Sequence, residues 1–223
     1  MKVLVIAAHP DDEVLGCGGT IARHVAAGDE VRIHILAEGA TSRAPSRDGD
    51  AHAKELTALA QSAAEAAMIL GATSVLHGLP DNRLDSLDLL EVVKLVEEVI
   101  FSYQPELVYT HHSSDVNIDH QVIHRAVVTA CRPLPGQSVR TLLFFEIPSS
   151  TEWQVPTAFS PNWFVSIEET LSRKVQALES YGSEMREFPH PRSIPAVKAL
   201  AAWRGASIGV KAAEAFVLGR LIF

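Results

Sequence analysis

Four consecutive apolar residues, Val3-Leu4-Val5-Ile6, lead directly into Ala7-Ala8-His9-Pro10-Asp11-Asp12-Glu13. A short continuous apolar run closed by a turn signal reads as a strand buried on both faces. Such strands belong to parallel sheets, because only crossover helices cover both sides of a sheet. This one stretch therefore restricts the chain to α/β architecture. The carboxyl ends of strands are also where open α/β sheets hold their ligands. Here that end carries one imidazole and three carboxylates within residues 9–13.

The rest of the chain repeats the alternation of strand and helix. A helix is predicted from Val14 to Ala27, closed by Gly28, and a second strand over residues 31–36. A polar loop from Ser42 to Asp50 contains Arg43 and Arg47. An Ala-rich helix runs from about His52 to Leu70 with Gly71 as its cap, followed by a strand at residues 74–77. An amphipathic helix spans Leu87 to Tyr103, stopped by Pro105, and the fourth strand covers residues 107–110. A helix from about Gln121 to Ala130 and a fifth strand at residues 142–146 follow. In the last third, helices are predicted over residues 167–181 and 194–204. Residues 149–153 and 159–163 read as loops, and residues 214–218 as a return to the sheet edge. The succession implies right-handed crossovers and a mostly parallel sheet, with no domain boundary in residues 1–223.

The net charge is −8 and no basic run is present, which argues against nucleic acid as a partner. No apolar stretch is long enough for a transmembrane segment, and the segment before His9 is too short for a signal peptide. Cys17 and Cys131 sit in apolar helical context and read as small buried residues of a reducing, cytoplasmic protein. Gly16-Cys17-Gly18-Gly19 lacks the spacing of a dinucleotide-binding loop. Close helix–strand packing accounts better for its glycines.

A turn after Pro10 places His9 and Asp12 on one ion, with Asp11 facing the substrate side. Mixed imidazole and carboxylate donors suit Zn²⁺ with a position left open for water. A third donor is needed from elsewhere, and His120, after the fourth strand, is the natural candidate. His124 shares a helix face with His120 and reads as a supporting or structural residue. His111 and His112 leave the fourth strand at the same end of the sheet. Arg47, Arg83 and Arg192 lie in loops and are candidates for holding an anionic group of a substrate.

Ala8-His9-Pro10-Asp11-Asp12-Glu13 after the first strand, with Asn117-Ile118-Asp119-His120 after the fourth, resembles the PIG-L/LmbE-like de-N-acetylases. The resemblance implies a Rossmann-like three-layer αβα fold and a zinc-dependent amidase acting on N-acetylglucosamine-type sugars or their conjugates. Carried over, it implies zinc ligands at His9, Asp12 and His120 and a general base at Asp11; Asp119, next to His120, reads as a supporting residue. The family's second motif commonly reads His-x-Asp-His, and here Asn117 replaces the leading His. Asn donates a hydrogen bond but not a proton, so the proton donor is predicted to be His190 or His112. His190 sits between Pro189 and Pro191, which fix the backbone. Trp153 and Trp163 are candidates for stacking on a sugar ring. The same ligand set also accepts Fe²⁺, Co²⁺ or Mn²⁺. A small-molecule N-acylated sugar is the expected partner, and a homo-oligomer is left open. The competing reading is a sugar- or nucleotide-binding relative without catalysis, which metal content would distinguish.

Overall fold

The computed structural model describes residues 1–43 and 47–223, so the predicted Ser42–Asp50 loop falls partly outside the described residues. The elements are β1 (Lys2–Ala7), α1 (Asp12–Ala26), β2 (Glu30–Ala37), α2 (Ala53–Leu70) and β3 (Thr73–Leu79), then α3 (Leu89–Tyr103), β4 (Leu107–His111), α4 (Ile118–Ala130) and β5 (Thr141–Phe145). They end with β6 (Trp163–Ser166), α5 (Leu171–Glu179), α6 (Ile194–Ala206) and β7 (Ala213–Leu221). The strands form one sheet in the order β3-β2-β1-β4-β5-β7-β6. The first five are parallel, and β7 runs antiparallel to both β5 and β6.

Alternation along β1 explains the three layers. Val3, Val5 and Ala7 point into a core shared with α1 and α2, whereas Leu4, Ile6 and Ala8 point into a second core under α3 and α4. All six are fully buried. At about 1.5–3 kcal/mol per buried large aliphatic side chain, a strand of this composition is stable only between two helical layers. Gly16 and Gly19 serve packing, as expected: a Cβ at Gly16 would lie 2.5 Å from the Phe145 ring, and one at Gly19 2.8 Å from Ile167.

Three parts of the pattern differ from the sequence reading. Residues 163–166 form the strand β6, although residues 159–163 read as a loop; four half-buried residues are too few to show an alternation. β7 lies inside the sheet between β5 and β6, not at its edge. The apolar run reports burial but not which strands flank it. α4 begins at Ile118 because Asn117 caps it, its Oδ1 accepting the amide protons of Asp119 (2.9 Å) and His120 (3.4 Å).

The order of the sheet positions the site. β1 is flanked by β2 on one side and β4 on the other, so the chain leaves these neighbours in opposite directions. A crevice opens at that switch point, beyond the carboxyl ends of the strands. The turn after β1 and the segment after β4 meet there.

Candidate active site

The two segments are tied at their base. The Ala8 amide donates to His111 Nε2 at 2.8 Å, which makes His111 an acceptor at that nitrogen. Burial holds its imidazole well below the usual range, and its ring stacks on His120 with centroids 3.9 Å apart. Beyond Ala8 the chain turns tightly, the Asp12 amide reaching the His9 carbonyl at 3.2 Å. Asp12 and Glu13 then open α1, where acidic side chains favour the positive end of the helix.

Three donor atoms converge at this point. His9 Nδ1 lies 3.2 Å from Asp12 Oδ2, His120 Nε2 lies 3.1 Å from the same oxygen, and the two nitrogens are 3.4 Å apart. Four-coordinate zinc with bonds near 2.0–2.1 Å separates tetrahedral ligand atoms by about 3.3 Å, so the triangle has the size of a metal's ligand set. Among the described residues Asp12 Oδ1 is buried without a hydrogen-bond partner, leaving donor capacity for an ion. Burial raises the Asp12 carboxyl, but His120 and His9 more than offset it and hold Asp12 well below the usual carboxylate range.

A carboxylate also lies behind each imidazole, hydrogen-bonded to His9 and within ion-pair distance of His120. His9 Nε2 is 3.0 Å from Asp119 Oδ2, and His120 Nδ1 is 3.1 Å from Asp115 Oδ2. Metal-binding histidines are oriented in this way, the ring nitrogen away from the ion meeting a carboxylate. Asp119 is fixed in turn by the amides of Asn82 (2.7 Å) and Leu84 (2.9 Å). Asp115 accepts from Thr151 Oγ1 (2.8 Å), from the Asn117 amide (2.8 Å) and from Ser150 Oγ. Burial raises the Asp115 carboxyl, but the contact with His120 prevails and brings it down to about 2.

Asp11 stands apart from the triangle. Its side chain faces a cavity of about 160 Å³ lined by His9, Asp81, Asn82, Asn117, Glu184 and Arg192, among others. Burial pushes its carboxyl well above the usual range, while the Arg192 guanidinium, 2.9 Å away, opposes that shift. A carboxylate tuned upward is suited to taking and returning a proton near neutral pH.

The other residues singled out from the sequence are distributed as follows. Asn117 lines the cavity, but its carbonyl oxygen is spent on the α4 cap and its Nδ2 donates to Asn82 Oδ1 at 2.8 Å. His124 donates from Nδ1 to the His111 carbonyl at 2.9 Å and so steadies the strand end. His190 is not brought to Asp11; its Nδ1 accepts the Arg192 amide at 3.1 Å and its ring meets Trp153. His112 is turned towards Phe159 and accepts the Ser114 amide at 3.1 Å, away from the cavity. Arg47 forks onto Glu38 at 2.8 and 2.9 Å, and Arg83 is half-buried outside the cavity lining. Arg192, expected on substrate, sits on Asp11 and donates from Nε to Ser149 Oγ at 2.8 Å. Neither Trp153 nor Trp163 lines the cavity. The sequence reading passed over Asp115 and Asp81; Asp81 Oδ1 lies 3.3 Å from His9 Nε2. The one signal for Asp115 was its place in the polar run between His111 and His120.

The chain has known relatives. A family model described as GlcNAc-PI de-N-acetylase, the PIG-L family, matches residues 4–131. The chain is 33% identical over 190 residues to the uncharacterized deacetylase YaiS of Escherichia coli strain K12, covering 81% of this chain and 90% of that protein. These matches define the class, a hydrolytic deacetylase. Within that class the chain belongs to the PIG-L family. N,N'-diacetylchitobiose deacetylase from Pyrococcus horikoshii superposes with a TM-score of 0.78 at 22% identity, over 98% of this chain and 84% of that one. GalB, the 4-carboxy-2-hydroxymuconate hydratase of Pseudomonas putida KT2440, superposes with a TM-score of 0.79 at 21% identity, over 100% and 97%. These two likenesses show the fold, and a fold hosts more than one chemistry.

Proposed function

We propose that the protein is a zinc-dependent deacetylase that removes an N-acetyl group from a small amino sugar or amino-sugar conjugate. The observation that carries this reading is the donor triangle of His9, Asp12 and His120, with a carboxylate behind each histidine. His9, Asp12 and His120 would hold the ion, which, when bound, supplies a water of lowered pKa and polarises the amide carbonyl. Asp11 faces the same space from the cavity side and takes the proton of the attacking water. Arg192 is fixed on Asp11 and keeps that carboxylate oriented. Its guanidinium also brings positive charge to the cavity wall, where the developing oxyanion needs it. Cleavage of the C–N bond requires a proton on the departing amine. With His190 and His112 both turned elsewhere, Asp11 returns the proton it took.

The test is acetate release from a panel of N-acetylated sugars, nucleotide sugars and glycoconjugates, with metal content measured on the same preparations. Acetate release by the zinc-loaded chain, abolished in Asp11→Asn with zinc retained, is the expected result. A chain that holds zinc and releases no acetate from any member of the panel would overturn the proposal in favour of a binding protein.

A further inference from the structure

Asp11 occupies an unusual backbone conformation. Its φ is 116° and its ψ −29°, in the left-handed region that side chains other than glycine rarely adopt. Such a residue persists only where its surroundings over-determine it. Part of that determination is ordinary helix initiation, the Asp11 carbonyl accepting from the amides of Val14 (3.1 Å) and Leu15 (2.9 Å). The amide side is held differently. The Asp11 N–H donates to Glu13 Oε2 at 3.2 Å, and the other oxygen of Glu13 accepts the Tyr181 hydroxyl at 2.6 Å.

Glu13 and Tyr181 are both buried, and neither lines the active-site cavity. They therefore cannot act on substrate directly. Tyr181 comes from just beyond α5, far along the chain, and reaches the turn after β1 only in the folded molecule. A buried carboxylate needs its hydrogen bonds filled, and the pair meets that need in a chain from Tyr181 through Glu13 to the Asp11 amide.

We propose that Tyr181 and Glu13 are positioning residues that lock the left-handed backbone of Asp11 and so aim its carboxylate. This rests on Asp11 being the base. Loss of the phenol hydroxyl frees Glu13 to turn towards another donor and releases the Asp11 amide. A displaced base costs turnover more than affinity, because small misplacements of a reacting group are felt mainly in the transition state.

The experiment uses the full zinc-loaded chain, the best substrate from the acetate screen, and four variants beside Asp11→Asn. Tyr181→Phe is expected to lower kcat about tenfold or more with KM within about twofold, at unchanged zinc content. Hydrogen exchange at the Asp11 amide, measured with and without zinc, rises in the same variant. Tyr103→Phe is the control: this tyrosine is also buried, but its hydroxyl donates to the Glu30 carbonyl at 2.7 Å in a partly buried contact at the opposite end of the sheet. It loses stability without losing turnover or Asp11 protection. Glu13→Gln, whose amide both accepts and donates, retains more turnover than Glu13→Ala, and this pair decides the question if Tyr181→Phe does not fold. Unchanged kcat and exchange in Tyr181→Phe, equal losses in the two tyrosine variants, or loss of zinc would each overturn the proposal. Retained turnover in Asp11→Asn would instead overturn the assignment of the base.

Discussion

The chain up to α4 and the chain beyond it contribute to the site in opposite ways. The parallel part, through α4, supplies the whole donor triangle and the carboxylates behind it from short segments after β1 and β4. The part beyond, from β5 to β7, holds no member of that triangle. It supplies instead the groups that constrain the first part: Arg192 on Asp11, Tyr181 on Glu13, and Ser150 and Thr151 on Asp115. It also closes α1 onto the sheet. Glu214 of β7 accepts the amides of Gly19 (3.0 Å) and Thr20 (2.7 Å), and pairs with Lys174 at 2.6 Å. Convergent donor atoms thus come from two short segments that the switch point brings together, whereas aiming the surrounding groups takes contacts from the later part of the chain.

Three substitutions test that division, in descending order of effect. Arg192→Ala removes the guanidinium from beside Asp11, and kcat is expected to fall about 10²- to 10³-fold, the range found when one stabilising donor is lost. Zinc content stays unchanged, since Arg192 touches no donor of the triangle. Steady-state kinetics with metal analysis check this, and loss of the metal would merge the two regions' roles. Asp115→Ala acts in the first region and should do the reverse. Releasing His120 from its carboxylate weakens metal affinity about 10- to 100-fold, measured by competition with a zinc chelator. Full activity returns at saturating zinc, and a variant that stays inactive there would place Asp115 in the chemistry as well. Asn117→Ala removes the cap of α4 and should cost about 1 kcal/mol of stability, read from urea unfolding. Its hydrogen-bonding groups are already committed, so turnover changes little by comparison. A large loss of turnover would instead make Asn117 a direct participant.

Legibility in the sequence follows the same division. The buried strand β1, the helix caps at Gly71 and Asn117, and the stop at Pro105 depend on nearest neighbours in the chain. All but the Asn117 cap are legible directly; that cap is masked because Asn117 stands where the family motif carries a histidine. The proline-rich turn at residues 188–193 shows what local reading lacks. His190 and Arg192 are two residues apart in one turn, and the chemistry of imidazole favoured His190 as the proton carrier. The folded turn points Arg192 at Asp11 and leaves His190 against Trp153. Which side of a turn faces the cavity depends on where Ser149 and Trp153 lie, and nothing within the turn specifies that.

Legible from residue order alone are the α/β class, the buried strand β1, and the His9–Asp12 cluster at its carboxyl end. These follow from the spacing of apolar residues and from the turn that ends them. Long-range packing settles that β7 sits inside the sheet and that Arg192 and Tyr181 converge on the Asp11 turn. Each of those facts is a contact between segments far apart in the chain. Such contacts are fixed by how the helical layers and the sheet pack, which residue spacing along a single segment does not encode.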